Sequence, residues 1–345
     1  MSKKIYIGDV PVGGGAPIAI QSMTNTATKD VEATVSQIKE LEGAGCDIIR
    51  CAVPDIESAK AISEIKKRIK IPLVADIHFD YKLALLSIEN GVDKIRINPG
   101  NIGSEEGVRL VAEKAKEARI PIRIGVNSGS VEKGILAKYG APTAEALVES
   151  AEHHINLLTK YGFSDILISV KASNVKTTIK AYRLLNEKYD YPLHLGVTEA
   201  GTFLGGTVKS AVGIGSLLAD GIGDTFRVSL TDEPIKEITV AKEILKSLDL
   251  TDRCARLVSC PTCGRTKIDL IPLAKKVEEY LLTIDKPITV AVMGCAVNGP
   301  GEAREADIGI AGGDGEGLIF KKGEIIRKVK ESELYPELIK EIESM

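Results

Sequence analysis

From about residue 17 to residue 248 the chain repeats one pattern, a short β-branched apolar run followed by a stretch with helical apolar spacing. The runs are PIAIQSM (17–23), CDIIRCA (46–52), PLVADIH (72–78), DKIRINP (93–99), PIRIGVN (121–127), DILISVK (165–171), LHLGVTE (193–199) and DTFRVSL (224–230). Segments such as VSQIKELEGAG and AISEIKKRIK lie between them, and Gly, Pro or Asp punctuates the returns. Eight such alternations predict an α/β fold of the (β/α)8 TIM-barrel type, and an open doubly wound sheet is the competing reading. Residues 5–15, with a triple glycine and no helix after it, read as a hairpin capping one end. After about residue 250 the rhythm breaks, cysteines cluster, and GIAGGDGEGLIFKKGEII reads as a β-hairpin. A helix at 268–284, a strand at 287–293 and a last helix from about 331 complete a small α+β domain. The expected division is therefore 1–250 and 251–345, joined through 248–256, as a length of 345 residues also favours.

Alternation along a strand sends residues of one parity to one face, and barrel chemistry sits at the C-terminal ends of strands. Those ends carry Arg50, Asp76 with His78, Arg96 with Asn98, Arg123 with Asn127, Ser169 with Lys171, Thr198 with Glu199, and Arg227 with Ser229. Five cations on five strands are costly inside a barrel unless they pair or meet an anion. Some can pair with Asp76 and Glu199; the set as a whole predicts a polyanion site in which guanidinium forks meet phosphate oxygens. His194 lies in mid-strand and reads equally well as a core residue, while His153 and His154 fall on a helix and are expected at the surface.

Composition narrows the partners. A formal charge of −3 and 4% aromatics, with no Trp, give no reason to expect nucleic acid. No apolar run approaches the roughly 18 residues of a membrane span, and the N-terminus lacks the apolar core of a secretory signal. A cytoplasmic protein is expected, and its six cysteines then read as ligands or buried fillers rather than disulfides. Cys46 and Cys51 flank the second strand as fillers. Cys260-Pro-Thr-Cys263 and Cys295 give three thiols in the C-terminal domain, where no histidine occurs. Zinc usually takes four ligands from Cys and His, so three thiolates fit a [4Fe–4S] cluster better, with one iron ligated differently. Glu302 is the nearest non-cysteine candidate, and Cys254 competes for that position.

The segments SCPTCGRT, MGCAVNGPGEA, HLGVTEAG, KIRINPGN and VADIHFD together resemble the 4-hydroxy-3-methylbut-2-enyl diphosphate synthases, iron–sulfur enzymes of the non-mevalonate isoprenoid pathway. The resemblance runs along essentially the entire chain, in the shorter two-domain bacterial form. It implies reductive ring opening and dehydroxylation of 2-C-methyl-D-erythritol 2,4-cyclodiphosphate to (E)-4-hydroxy-3-methylbut-2-enyl diphosphate. It also implies one [4Fe–4S] cluster per chain on Cys260, Cys263, Cys295 and Glu302, and a C-terminal domain similar to the sulfite and nitrite reductase repeat. The barrel is similar to that of dihydropteroate synthase. On this reading Arg50, Arg96, Arg123, Lys171 and Arg227 clamp the diphosphate, and Asn98, Asn127 and Ser229 orient it. Glu199 is the expected acid for the departing hydroxyl, with Asp76 the second carboxylate candidate. Ferredoxin or flavodoxin is the implied donor. The helix after strand eight returns the chain to the bottom of the barrel, so a head-to-tail homodimer is expected, each cluster domain over the partner's barrel. The rival reading is a barrel transferase acting on a pterin or phosphorylated substrate, with zinc in the small domain.

Overall fold

A computed structural model describes residues 1–98, 102, 104–252, 255–284, 286–296 and 303–345. The chain forms two compact units, Met1–Leu250 and Thr251–Met345. In the first, strands β1 (Ile5–Ile7) and β2 (Val10–Val12) form an antiparallel hairpin. Eight parallel strands follow: β3 (Ala19–Met23), β4 (Ile48–Ala52), β5 (Leu73–Asp76), β6 (Lys94–Ile97), β7 (Ile122–Asn127), β8 (Ile166–Lys171), β9 (His194–Leu195) and β10 (Thr225–Phe226). They pair in chain order, β10 pairs β3, and a parallel bridge from Ile168 to Leu193 joins β8 to β9, so the sheet closes on itself. The TIM-type barrel is correct and the open sheet is not.

The last two strands are shorter than their sequence runs. The spans 193–199 and 224–230 keep two ladder residues each, leaving Glu199, Arg227 and Ser229 beyond the ladder in the loops above. Most helices of this unit start at an Asp, Ser, Thr or Asn whose side chain accepts a backbone N–H, as Asp30, Asp55, Ser104 and Asn174 do.

Parity governs the packing. One parity of each strand, including Ile20, Ile49, Ile95, Ile124, Ile168 and Leu195, faces the helices and builds the main apolar core. Cys46 and Cys51 belong to that core, and burial pushes their thiols up to about 12 and about 11. The other parity faces the barrel axis. At the bottom it supplies Ala19, Ile48, Val74 and Leu167, which pack with Ile5, Ile7 and Val12 of the hairpin into a separate apolar plug. Above the plug the inward residues become polar, which sets this barrel apart from the branched aliphatic filling usual in the fold.

The second unit is a five-stranded sheet of β11 (Arg256–Ser259), β12 (Thr289–Met293), β13 (Ile308–Gly312), β14 (Glu316–Lys321) and β15 (Glu324–Lys330). The first three are parallel and the last three antiparallel. Val290, Val292, Ile308, Ile310 and Ile319 pack against Val277 of the helix Leu270–Leu281 and Leu338 of the helix Leu334–Glu343.

The plug gives the first prediction. Ile7 is fully buried and its strand neighbour Tyr6 is exposed. Ile7→Ala should destabilise the barrel by about 2–4 kcal/mol in urea unfolding, and Tyr6→Ala by less than about 0.5 kcal/mol. Equal effects would mean that the hairpin does not seal the barrel.

Candidate functional site

Above the plug the barrel holds six cations: Arg50, Lys94, Arg96, Arg123, Lys171 and Arg227. All but the half-buried Arg227 are buried. Two buried carboxylates face them. Asp76 lies 3.6 Å from Arg50 Nε and 3.0 Å from Arg96 Nη1. Glu237, on the helix Pro234–Ser247, lies 3.1 Å from Arg227 Nη2 and accepts from Ser22 Oγ at 3.1 Å and from the Leu230 amide at 3.1 Å. Burial alone would raise the Asp76 carboxyl, but the guanidinium groups of Arg50 and Arg96 hold it at about 2. Asp76 is therefore a fixed anion at neutral pH. The Met23 thioether sulfur, Sδ, sits between Arg50 and Arg227, 3.1 Å from Arg50 Nε and 3.4 Å from Arg227 Nη1.

The remaining cations are under-partnered. Arg123 donates to Ser169 Oγ at 2.6 Å, while its Nε and Nη2 are buried with no hydrogen-bond partner among the described residues. The Lys171 amine makes no hydrogen bond or ion pair among the described residues and rests against Gly196, where an added Cβ would lie 2.5 Å from Nζ. Gly125 gives Arg96 the same room, an added Cβ falling 2.5 Å from Nε. Burial and the neighbouring cations push the proton affinities of Lys94, Arg123 and Lys171 well down. Lys94 is a residue that sequence reasoning missed: it shares parity with Arg96, but it opens its strand and was not counted with the strand ends. Its amine donates to Gln21 Oε1 at 3.0 Å, one layer below the guanidinium groups. Glu237 was also missed, because no strand-parity rule reaches a helix. A set of donors this rich in charge and this poor in acceptors is complementary to a polyanion.

The polar rim lies above. Asn98 Nδ2 donates to Ser130 Oγ at 3.1 Å, and the Asn127 amide donates to the same oxygen at 3.1 Å. Ser229 is half-buried. Glu199 is exposed and has φ +52°, a left-handed conformation rare for a non-glycine residue and often found where function dictates backbone shape. His194 is fully buried, with both ring nitrogens unpartnered among the described residues, and burial holds its proton affinity well down. His78 is exposed. His153 is exposed as expected, but His154 is fully buried: it lies on the inner face of its helix and reaches Glu132.

In the second unit, the parallel pairing of Ser259 with Val292 brings the ends of β11 and β12 together. Cys260 follows the first strand at once, and Cys295 follows the second by one residue beyond Gly294. These two thiols and that of Cys263 line one cavity of about 220 Å3 with Pro261, Arg265, Thr266 and Gly294. The Gly294 amide donates to Cys260 Sγ at 3.3 Å, and Arg265 and Thr266 beside Cys263 lower its thiol from the ordinary value. N–H donors and a cation around thiols favour the thiolate form, which is the ligand form of cysteine. The expected fourth ligand, Glu302, and its competitor Cys254 lie outside the described residues.

The charge imbalance predicts an unusual pair of effects. Pyrophosphate at about a hundred times its Kd should stabilise the protein by about 2.7 kcal/mol. Lys171→Met should abolish most of that gain and leave the free protein at least as stable, because it removes an unpartnered buried amine. A less stable variant, or one that keeps the full gain, would place the anion elsewhere. Acid should act through Asp76. Its folded value of about 2 lies below its ordinary 3.8, so its stabilisation is present above about pH 4 and is lost as pH falls through 2. Urea midpoints of Asp76→Asn should lack that acid limb.

Comparison with known proteins agrees with both units. The family model described as the GcpE TIM-barrel domain matches residues 2–242, and that described as the GcpE protein C-terminal domain matches residues 256–344. A relative from Clostridium perfringens named 4-hydroxy-3-methylbut-2-en-1-yl diphosphate synthase (flavodoxin) is 64% identical, over 100% of this chain and 99% of its own. A relative of the same name from Fusobacterium nucleatum is 63% identical, over 99% and 96%. Among solved structures, a dihydropteroate synthase from Coxiella burnetii shares the fold, with a TM-score of 0.50 at 12% identity over 72% of this chain and 100% of its own. The chain belongs to the GcpE family, and the relatives it matches from end to end are 4-hydroxy-3-methylbut-2-en-1-yl diphosphate synthases.

Proposed function

We propose that this chain converts 2-C-methyl-D-erythritol 2,4-cyclodiphosphate to (E)-4-hydroxy-3-methylbut-2-enyl diphosphate. The reaction takes up two electrons and one proton, breaks the ring C–O bond to a phosphate and a second C–O bond, and releases water. The barrel alone suits any phosphorylated substrate. The observation that carries the reading is the convergence of Cys260, Cys263 and Cys295 on one cavity, because it gives the chain a redox site that a barrel transferase does not need.

Those three thiols, with Glu302 as the fourth ligand, are the residues that would hold one [4Fe–4S] cluster. Such a cluster supplies low-potential electrons one at a time and a Lewis-acidic iron. Zinc remains a poorer fit, since all four histidines of the chain lie before residue 195, outside the unit that carries the thiols. Arg50, Arg96, Arg123, Lys171 and Arg227 bind the cyclic diphosphate, and Lys94 adds charge beneath them. Asn98, Asn127 and Ser229 orient it. Asp76, held as an anion between Arg50 and Arg96, fixes those two guanidinium groups rather than giving up a proton. Glu199 protonates the departing hydroxyl.

The donor is a flavodoxin, as the relatives' names have it, with ferredoxin as the alternative. No helix among the described residues is long and apolar enough to cross a membrane, which accords with a cytoplasmic location. We further propose a head-to-tail homodimer. The helix Pro234–Ser247 carries the chain to the end of the barrel opposite its charged mouth, and a partner's cluster unit can cover that mouth. The exposed stripe Leu204, Val208 and Val212 on the helix Phe203–Ala219 offers apolar surface for the association.

Anaerobic reconstitution should give about four irons per chain, and the EPR spectrum of the dithionite-reduced protein should change when the cyclodiphosphate is added. Glu199→Gln should lower kcat by about 100-fold or more with little change in KM. Stoichiometric zinc in place of iron, or a spectrum indifferent to substrate, would sink the reductase reading.

A further inference from the structure

A contact between a half-buried carboxylate and a buried imidazole lies outside the clamp. His154, in the middle of the helix Ala144–Lys160, is fully buried, and its Nε2 lies 2.9 Å from Glu132 Oε1. Glu132 directly precedes the helix Lys133–Tyr139 and ends the short segment that leaves β7 through Ser128–Ser130 and Val131. Burial would raise its carboxyl, but His154 and Ser150 beside it, with its own backbone amide, hold it at about 2. A carboxylate at the end of a loop is thus seated against one imidazole of a core helix. His153, next to His154 on the same helix, also lies within reach of the carboxylate.

Two residues upstream, Ser130 Oγ is the hub of the rim. It accepts from Asn98 Nδ2 and from the Asn127 amide, and donates to the Asn127 carbonyl at 3.0 Å. A three-residue 3-10 turn has little stability of its own. It is kept in place by Asn127 in the β7 ladder, by Val131 in the apolar core and by Glu132 against the helix.

We infer that Glu132 and His154 are positioning residues for substrate binding, pinning the segment 128–132 so that the Ser130 hydroxyl aligns Asn98 and Asn127. This inference rests on the reading of those two asparagines as substrate contacts. Neither Glu132 nor His154 touches the substrate; each acts through Ser130.

The test uses the full-length reconstituted enzyme, with dithionite and methyl viologen as reductant and the cyclodiphosphate varied. Glu132→Gln and His154→Leu should each raise KM about tenfold, the worth of one well-made hydrogen bond to a charged ligand, with kcat within about twofold. His154→Gln, which keeps a donor at that position, should recover most of the loss. In a Ser130→Ala background, Glu132→Gln should no longer affect KM while still lowering the melting temperature. KM effects that add in the double variant, or a lowered melting temperature with KM unchanged, would reduce the pair to a structural contact and overturn the inference. A divalent metal ion that purifies with the protein and is lost in His154→Gln would overturn it as well, by making the pair a metal site. Asn98→Ala separates the two levels. If it leaves KM unchanged, the substrate-contact reading fails and takes the inference with it; if it raises KM while Glu132→Gln does not, only the inference fails.

Discussion

The constraint on which the barrel depends is its surplus of buried positive charge. Six cationic side chains share the space above the plug with two carboxylates. Unpaired charge in a low-dielectric interior is strongly unfavourable, so the free protein holds this arrangement against its own electrostatics. The rest of the barrel answers that cost. The outward parity of the strands is apolar except at Ser22 of β3 and joins one continuous core, and the hairpin seals the bottom with a second apolar cluster. Asp76 and Glu237 each bind cations from more than one direction or hold backbone and hydroxyl donors at the same time. Gly125 and Gly196 leave the width that a guanidinium and an ammonium need, where any side chain would collide with them.

Much of this was legible in the sequence, because the barrel obeys a simple rule of parity. The eight strands, their order of use and the inward course of Arg50, Arg96, Arg123 and Lys171 all follow from alternation. The misreadings fall where the rule stops. Lys94 obeys parity but opens its strand instead of ending it. Glu237 and His154 sit on helices, where a charged residue normally signals solvent and only tertiary packing decides otherwise. The runs 193–199 and 224–230 look like full strands, yet their upper halves leave the ladder, and Glu199 takes a left-handed backbone that no propensity predicts. Ser130 has no signature at all; its importance comes from what reaches it.

The cysteine unit shows the same division. Spacing singled out three thiols as candidate ligands. The reason they meet is topological, since parallel β11 and β12 end together and deliver Cys260 and Cys295 to one edge. The strand β11 was not foreseen, because RLVS is short and half exposed. Its pairing with the more apolar β12 makes it a strand, an effect of context on a weak local preference.

The size of the surplus has a bearing on rate as well as affinity. A clamp that bound substrate and transition state equally would lower KM and leave kcat alone. The cyclic diphosphate carries two negative charges, fewer than the basic side chains that surround the site. In the proposed reaction, breaking the ring C–O bond leaves the electron pair on a phosphate oxygen, and the diphosphate gains a further negative charge. A cationic site that exceeds the charge of the bound substrate therefore interacts more strongly with the opening ring than with the closed one, which is the condition for electrostatic catalysis by a preorganised site. In the proposed reaction, the charges that are costly to bury are those that would favour departure of the phosphate oxygen.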